Sequence, residues 1–394
     1  MRDRYSLFLI TMGLTLLGVT MVFSSSGVYA DREFSDSLYF LKRELIWALI
    51  GFLSLSFAYR ISLFKLQSWA LVIFALSMLL IGLTYTDLGI KVGGAQRWLR
   101  FGPFNFQPSE FMKYALVILL AGYFGGQPDY AKGFWKGFIF SLFLIVISVL
   151  PILFQPDFGT AVMIAGGGFL MLFVAGVKVR YLGALILSVL PMLYFAIVCF
   201  PYRVNRIAAF LDPWKDPTGN GFQMVQSFLA IGRGGLSGVG LGESTQKLFY
   251  LPEAHTDFIF SILAEELGYI GSVLTIGAFI IFTVIAFGIA LRTKHRFGHL
   301  LAAGCTFMIC IQAILNIAVV TGTVPPKGIP LPFISFGGSN LMMNLIAVGL
   351  IMNVSKSLEQ GILVEEGDKT LVTEKRWEKK AHPLRQSLSK YATL

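Results

Sequence analysis

Ten apolar stretches, separated by short polar segments, make up most of this chain. They run roughly over residues 5–24, 45–58, 66–83, 111–124, 138–153, 160–177, 182–200, 258–290, 300–320 and 341–353. About 20 mostly apolar residues in a helix cover the hydrocarbon core of a bilayer, so each stretch predicts a membrane-crossing helix, its ends set to within a few residues. The first stretch has a rival reading: MRDR, an apolar run and Val28-Tyr29-Ala30 are also the parts of a signal peptide. That run is about 19 residues, longer than the 7–15 of a signal peptide, so a retained helix is expected.

Three polar intervals are too rich in turn residues to be mere connectors: 84–109, 201–256 and 321–340, the last reading TGTVPPKGIPLPFISFGGSN. Irregular backbone at membrane depth persists only where it packs on protein or lines a wet cavity, so re-entrant or capping segments are expected there. The chain divides into a membrane domain, 1–355, and a charged, weakly patterned tail, 356–394, expected to be partly disordered in the cytoplasm. No internal repeat is visible, which disfavours a transporter built from inverted halves.

Composition narrows the class. Apolar residues are 55% of the 394 and charged residues 14%, against about 25% charge in a soluble domain. The predicted fold class is therefore an all-α polytopic membrane protein with ten transmembrane helices and large extracytoplasmic loops. The net charge of +10 is spread over short loops, which speaks for membrane topology rather than nucleic acid. Ten spans put both termini on one side. Arg2, Arg4, Arg60, Lys65, Lys132, Lys136, Lys178, Arg180, Arg292, Lys294 and Arg296 then share that side with the tail, which makes it cytoplasmic. Cys199, Cys305 and Cys310 lie in or beside apolar stretches without metal or disulfide spacing.

The candidate chemistry centres on LPEAHTDFIFSILAEELG. His255, Thr256 and Asp257 sit where a polar outer loop enters an apolar helix. A carboxylate there is costly and needs a reason. A carboxylate partly shielded from water has a raised pKa, which suits a general base, and Asp257 is the candidate. The plainer reading is a cap, with Thr256 or Asp257 bonding the free N–H groups of the helix opening at Phe258; both roles are compatible. Glu265 or Glu266, deeper in, is expected to pair with a basic residue. Glu110 and Lys113, three apart, share a helical face, as an ion pair or as ligand contacts. Arg97, Arg100, Arg203, Arg206, Arg233, Lys247 and Lys327 are the basic residues of the outer loops, and a converging set would suit phosphate oxygens. The glycines of IGRGGLSGVGLGES have neither the preceding strand nor the Lys-Ser/Thr of a nucleotide loop. They are expected to turn tightly or lie close to a ligand. Asp157 is expected to cap the helix opening near Thr160.

Five segments in this order, GGAQRWLRFGPFNFQPSEFMK, PDFGTA, YRVNRIAAFLDPWKDPTGNGFQMVQS, LPEAHTDFIFSILAEELG and KGIPLPFISFGGSN, resemble the SEDS (shape, elongation, division and sporulation) proteins of bacterial wall synthesis. The resemblance covers residues 4–355 and is nearer the FtsW/SpoVE branch than RodA. One departure is ISFGGSN, where many relatives read SYGGSS; the Gly-Gly turn is kept. The resemblance implies the SEDS fold and a peptidoglycan glycosyltransferase that polymerises lipid II on the outer face of the bacterial inner membrane, in cell division. It carries the essential aspartate onto Asp257. Glu110 and Lys113 map near the central cavity, and Arg97, Arg203, Arg206, Lys247, His255, Thr256, Lys327 and Ser339 are candidate substrate contacts. The implied partners are lipid II, a class B penicillin-binding protein and divisome proteins, with no nucleic acid. No cofactor is implied with certainty, and a divalent cation, Mg or Mn, is left open. A lipid II flippase and a recruiting scaffold are the competing functions.

Overall fold

The structure, a computed structural model, describes residues 2–92, 95–102, 104–198, 210–219 and 221–359. Cys199, Arg203, Arg206 and the tail from residue 360 lie outside the described residues. The elements are α1 (Arg2–Phe34), α2 (Tyr39–Ala58), α3 (Leu63–Ser68), α4 (Ala70–Leu83), β1 (Gly89–Val92), β2 (Ala95–Phe101), β3 (Phe104–Phe106), α5 (Pro108–Gly126), α6 (Phe140–Phe154), α7 (Phe158–Ala175), α8 (Val179–Val198), α9 (Phe222–Gly234), α10 (Ile259–Arg292), α11 (Arg296–Val320) and α12 (Gly338–Glu359).

Every predicted stretch falls on helix, but among the described residues six helices are long and apolar enough to cross a membrane. These are α1, α6 with its π-helical lead-in (Phe134–Phe154), α7, α10, α11 and α12. Three of the other stretches fall short for visible reasons. Lys42, Arg43 and Glu44 charge the start of α2. Trp69 separates α3 from α4. α5 opens on Pro-Ser-Glu and carries Lys113 inside.

The all-helical expectation also misses a small sheet. The interval after α4 folds as three antiparallel strands in the order β1-β2-β3, pairing Ile90 with Trp98 and Arg100 with Asn105. Alternation explains it: along β2, Leu99 is buried and Arg100 exposed.

Chain direction sorts the termini of the elements into two ends. The starts of α2, α5, α7, α10 and α12 and the ends of α1, α4 and α11 meet at one end, here the site end. Tyr29 stacks and Phe40 packs tilted against His255 there, and Gln155 donates to Thr84. At the far end Arg292 pairs with Asp3, Arg4 with Glu359, and Asn353 Nδ2 donates to Ala58 O and Ile61 O.

Most of α5, α11 and α12 is buried, and a continuous polar chain runs through them. Tyr114 donates to Asn344 (2.5 Å), Asn344 to Asn340 (2.9 Å), and Asn340 to Glu110 (2.7 Å). Glu110 pairs with Lys113 (2.6 Å), Lys113 donates to Gln312 (2.8 Å), and Gln312 to Pro330 O (2.7 Å). Buried polar groups are tolerated when each meets a partner. Here the chain of partners ends on the irregular segment 321–337 and holds it in the bundle.

The glycine-rich segment is explained by α10. Gly268 has φ 68° and breaks that helix into two. A Cβ on Gly268 would stand 2.2 Å from Gly238 N, and one on Gly238 2.1 Å from Glu266 O. The two backbones touch, with Val239 N and Gly240 N donating to Glu265 O and Glu266 O. The close approach is therefore to α10, not to a ligand.

Candidate active site

The segment 255–257 is held by its backbone, not by its side chains. Asn316 Nδ2 donates to Asp257 O (2.7 Å) and Ser335 Oγ to Thr256 O (2.6 Å). Phe336 N donates to His255 O (3.0 Å). The His255 ring sits among Tyr29, Phe40 and Phe336, with centroids 5.6, 4.6 and 5.9 Å away. Burial there lowers its pKa, against the opposing pull of Glu253, so it is neutral near pH 7.

The cap reading of Thr256 and Asp257 does not hold. Phe258 is the N-cap of α10, and no side chain caps it. Thr256 Oγ1 turns instead to Glu253 Oε2 (2.7 Å). Among the described residues no hydrogen bond involves the Asp257 carboxylate. Half-buried and without a donor, it has its pKa pushed up to about 7. Burial is the main cause; the negative fields of Glu253 and Asp157 add to it, and Arg97 opposes.

Neighbouring groups frame that carboxylate. Asp157 caps α7 as expected, accepting from Thr160 N (3.2 Å), and also takes Gln107 Nε2 (3.2 Å). Arg97 on β2 is tethered by Gln155 O (3.0 Å) and Pro156 O (2.7 Å). Lys327 lies over the Phe158 ring, 4.4 Å from its centroid. Gly328 backs the site, because a Cβ there would come within 2.8 Å of Asp257 Oδ2. Gly328→Ala is therefore expected to rotate the carboxylate. Turnover should fall at least about tenfold with little change in melting temperature, since the obstacle is the tip of a flexible side chain. Unchanged turnover would show that the carboxylate's direction is immaterial.

The pattern described for the FtsW/RodA/SpoVE cell cycle protein family matches residues 4–360. The chain belongs to this family. It is 43% identical over 360 residues to the probable peptidoglycan glycosyltransferase FtsW of Geobacter metallireducens, covering 91% of this chain and 96% of that one. It is 41% identical over 351 residues to the stage V sporulation protein E of Bacillus subtilis, covering 89% and 96%. Among solved structures it resembles a chain of a peptidoglycan synthase complex that coordinates polymerization and crosslinking, with TM-score 0.76, 29% identity, and 90% and 98% of the two chains covered. It also resembles the rod shape determining protein RodA of Thermus thermophilus, with TM-score 0.67, 25% identity, and 90% and 96% covered. As a member of this family the chain is a multi-pass membrane protein.

Not every basic candidate reaches the site. Lys113 is fully buried, held by Glu110 and Gln312, so of its two readings the ion pair fits this geometry and the ligand contact does not. Lys247 is likewise enclosed. Its ammonium pairs with Glu266 (2.9 Å) and donates to Gly242 O (2.6 Å), which supplies the partner expected for one of the two glutamates. Glu265 accepts from Ser244 Oγ (2.5 Å) and Thr245 N (3.1 Å), so the pair together staples the glycine-rich loop to α10. Ser339 accepts from Gln107 N (3.1 Å) and joins α12 to the start of α5. Arg203 and Arg206 lie outside the described residues.

Residues without motif weight also matter here. Glu253, four before Asp257, is among the acids that raise its pKa. Asn316 clamps Asp257 O and Ile329 O together. Glu44, buried on α2, accepts from Gly337 N–H beside the loop that holds His255. Their shared signal is a polar residue inside, or one turn from, an apolar stretch.

Proposed function

We propose that the chain polymerises lipid II, with Asp257 as the general base. The carrying observation is the unbonded Asp257 carboxylate, poised near neutral pH at the site end of the bundle. Naming of curated relatives as probable peptidoglycan glycosyltransferases supports the reaction class. The chain is a peptidoglycan glycosyltransferase. Asp257 removes the proton from the 4-hydroxyl of a GlcNAc on one lipid-linked molecule. The oxygen forms a bond to the anomeric carbon of MurNAc on another, and the bond to undecaprenyl pyrophosphate breaks. An α-linked donor then gives a β-1,4 product by single inversion, with no covalent enzyme intermediate. Two membrane-tethered substrates meet in one plane, which removes much of the entropic cost of encounter.

Arg97, whose charge acts on Asp257, and Lys327, next to Gly328 in the chain, are assigned to the leaving pyrophosphate, whose charge grows as the bond breaks. Arg203 and Arg206 are further candidates by position in the sequence. Among the described residues no three His, Cys, Asp or Glu side chains are placed to hold a metal ion. The site end is assigned to the outer face of the cytoplasmic membrane. Arg2, Arg60, Lys178, Arg180 and Lys294 at the far end support this, and the termini are assigned to the cytoplasm with them. The likeness to a complex that couples polymerization to crosslinking supports a transpeptidase partner of the class B penicillin-binding type. Relatives named FtsW support a role in division beside divisome proteins.

The test is in-gel glycan polymerisation from purified lipid II by the full chain, with and without its transpeptidase. Ladders of polymer are the expected result. Headgroup transfer across liposomes with no polymer in either condition would refute the enzyme and mark a transporter.

A further inference from the structure

The far end of the bundle holds a cavity that the glycosyltransferase reaction does not use. Its volume is about 390 Å3, and it lies between the end of α5 at Gly125 and the turn from α10 into α11. Lys294, His295, Arg296 and His299 line it, together with Thr293, and among the described residues no acidic side chain does. Asp129, next to Pro128 in the chain, pairs with Lys132, and Asp3 pairs with Arg292. Arg296 is fixed in the wall, donating to Phe124 O (3.1 Å) and Ala175 O (2.6 Å), so its charge stays at the cavity. His299 Nδ1 donates to Ala290 O (2.9 Å), which sets the ring. Lys294 is exposed at the mouth.

The surroundings are apolar and outward-facing. Leu291 and Phe64 are exposed, and the Phe64 ring packs edge-on against His295 at 5.7 Å. A cationic hollow beside a lipid-facing rim matches a phosphodiester with acyl chains attached, and basic pockets between membrane helices hold such headgroups. The volume is in the range of small-molecule sites. We propose that this cavity binds the phosphate of an anionic phospholipid from the leaflet at the far end of the bundle. It does so independently of the sugar chemistry at the site end.

The test uses the purified full chain and native mass spectrometry. Phosphatidylglycerol and phosphatidylcholine are titrated against native protein and a Lys294→Gln/His299→Gln variant. One phosphatidylglycerol should be held at least about fivefold more tightly than phosphatidylcholine. The variant should lose that preference yet polymerise lipid II as the native chain does. If the double variant does not fold, Lys294→Gln alone, at an exposed position, carries the comparison. Equal affinity for the two lipids, or an unchanged preference in the variant, overturns the proposal. Displacement of phosphatidylglycerol by excess inorganic phosphate would assign the cavity to a soluble phosphate and overturn the lipid assignment.

Discussion

Replacing Asp257 by Asn is expected to lower glycan polymerisation by at least about two to four orders of magnitude, the usual contribution of a positioned general base. The amide keeps the shape and removes the acceptor for the proton. Folding should survive. The carboxylate bonds to nothing among the described residues, and the backbone bonds from Asn316, Ser335 and Phe336 are untouched. The pH dependence gives a second check. With the Asp257 pKa pushed up to about 7, the native rate should fall about tenfold per unit below that value, as the base becomes protonated. Glu253→Gln removes one of the raising charges and should move this limb to lower pH, whereas Arg97→Gln should move it higher. The stability sign runs the other way from activity. A carboxyl whose folded pKa is raised stabilises the protein when protonated, and that stability is lost as pH rises through about 7. The Asn variant should therefore melt no lower than the native chain at pH 8. A variant that is folded and fully active would refute Asp257 as base, and a pH limb that ignores Glu253 and Arg97 would refute the electrostatic account.

What was legible in the sequence is what short-range physics fixes. Apolar stretches gave every helix long enough to cross a membrane, but not α9, which lies in the interval read as an outer loop; the i,i+3 spacing of Glu110 and Lys113 placed the two within one ion pair. Asp157 capped α7 where its position before Thr160 predicted. Long-range pairing was not legible. Lys247 stands in the same outer loop as the HTD segment, and nothing local says that its ammonium turns to Glu266 beneath the glycine-rich loop. The glycines signalled close approach correctly, but the partner backbone, α10 at Gly268, lies about thirty residues away in sequence. The strands after α4 were hidden because only Leu99 and its neighbours alternate, over a run too short to outweigh the Gly and Pro around it. Asp257 was found through its place at a membrane boundary. Its freedom from capping became visible only once Phe258 was seen to start the helix.

The second large effect is expected at Glu110 and Lys113, and it separates two meanings of the same pair. Both side chains are buried, 2.6 Å apart, in the polar chain from Tyr114 to Pro330 O. Lys113→Met leaves Glu110 as an uncompensated buried charge, which typically costs about 3–5 kcal/mol. The melting temperature should drop sharply, and activity with it, because the chain anchors the segment that carries Gly328 behind Asp257. Adding Glu110→Gln removes the orphaned charge. A buried ion pair costs much desolvation, so a neutral pair of similar volume is often nearly neutral for stability. The double variant should thus recover most of the lost stability, giving a coupling energy of about 2 kcal/mol or more in a thermal double-mutant cycle. Polymerisation should recover in proportion, because neither group touches substrate on this geometry. Were the double variant stable but inactive, Lys113 would have to meet the sugar or its pyrophosphate directly. The bundle would then have to open at α5 and α11 during the reaction, since the ammonium is sealed from solvent in the state described here.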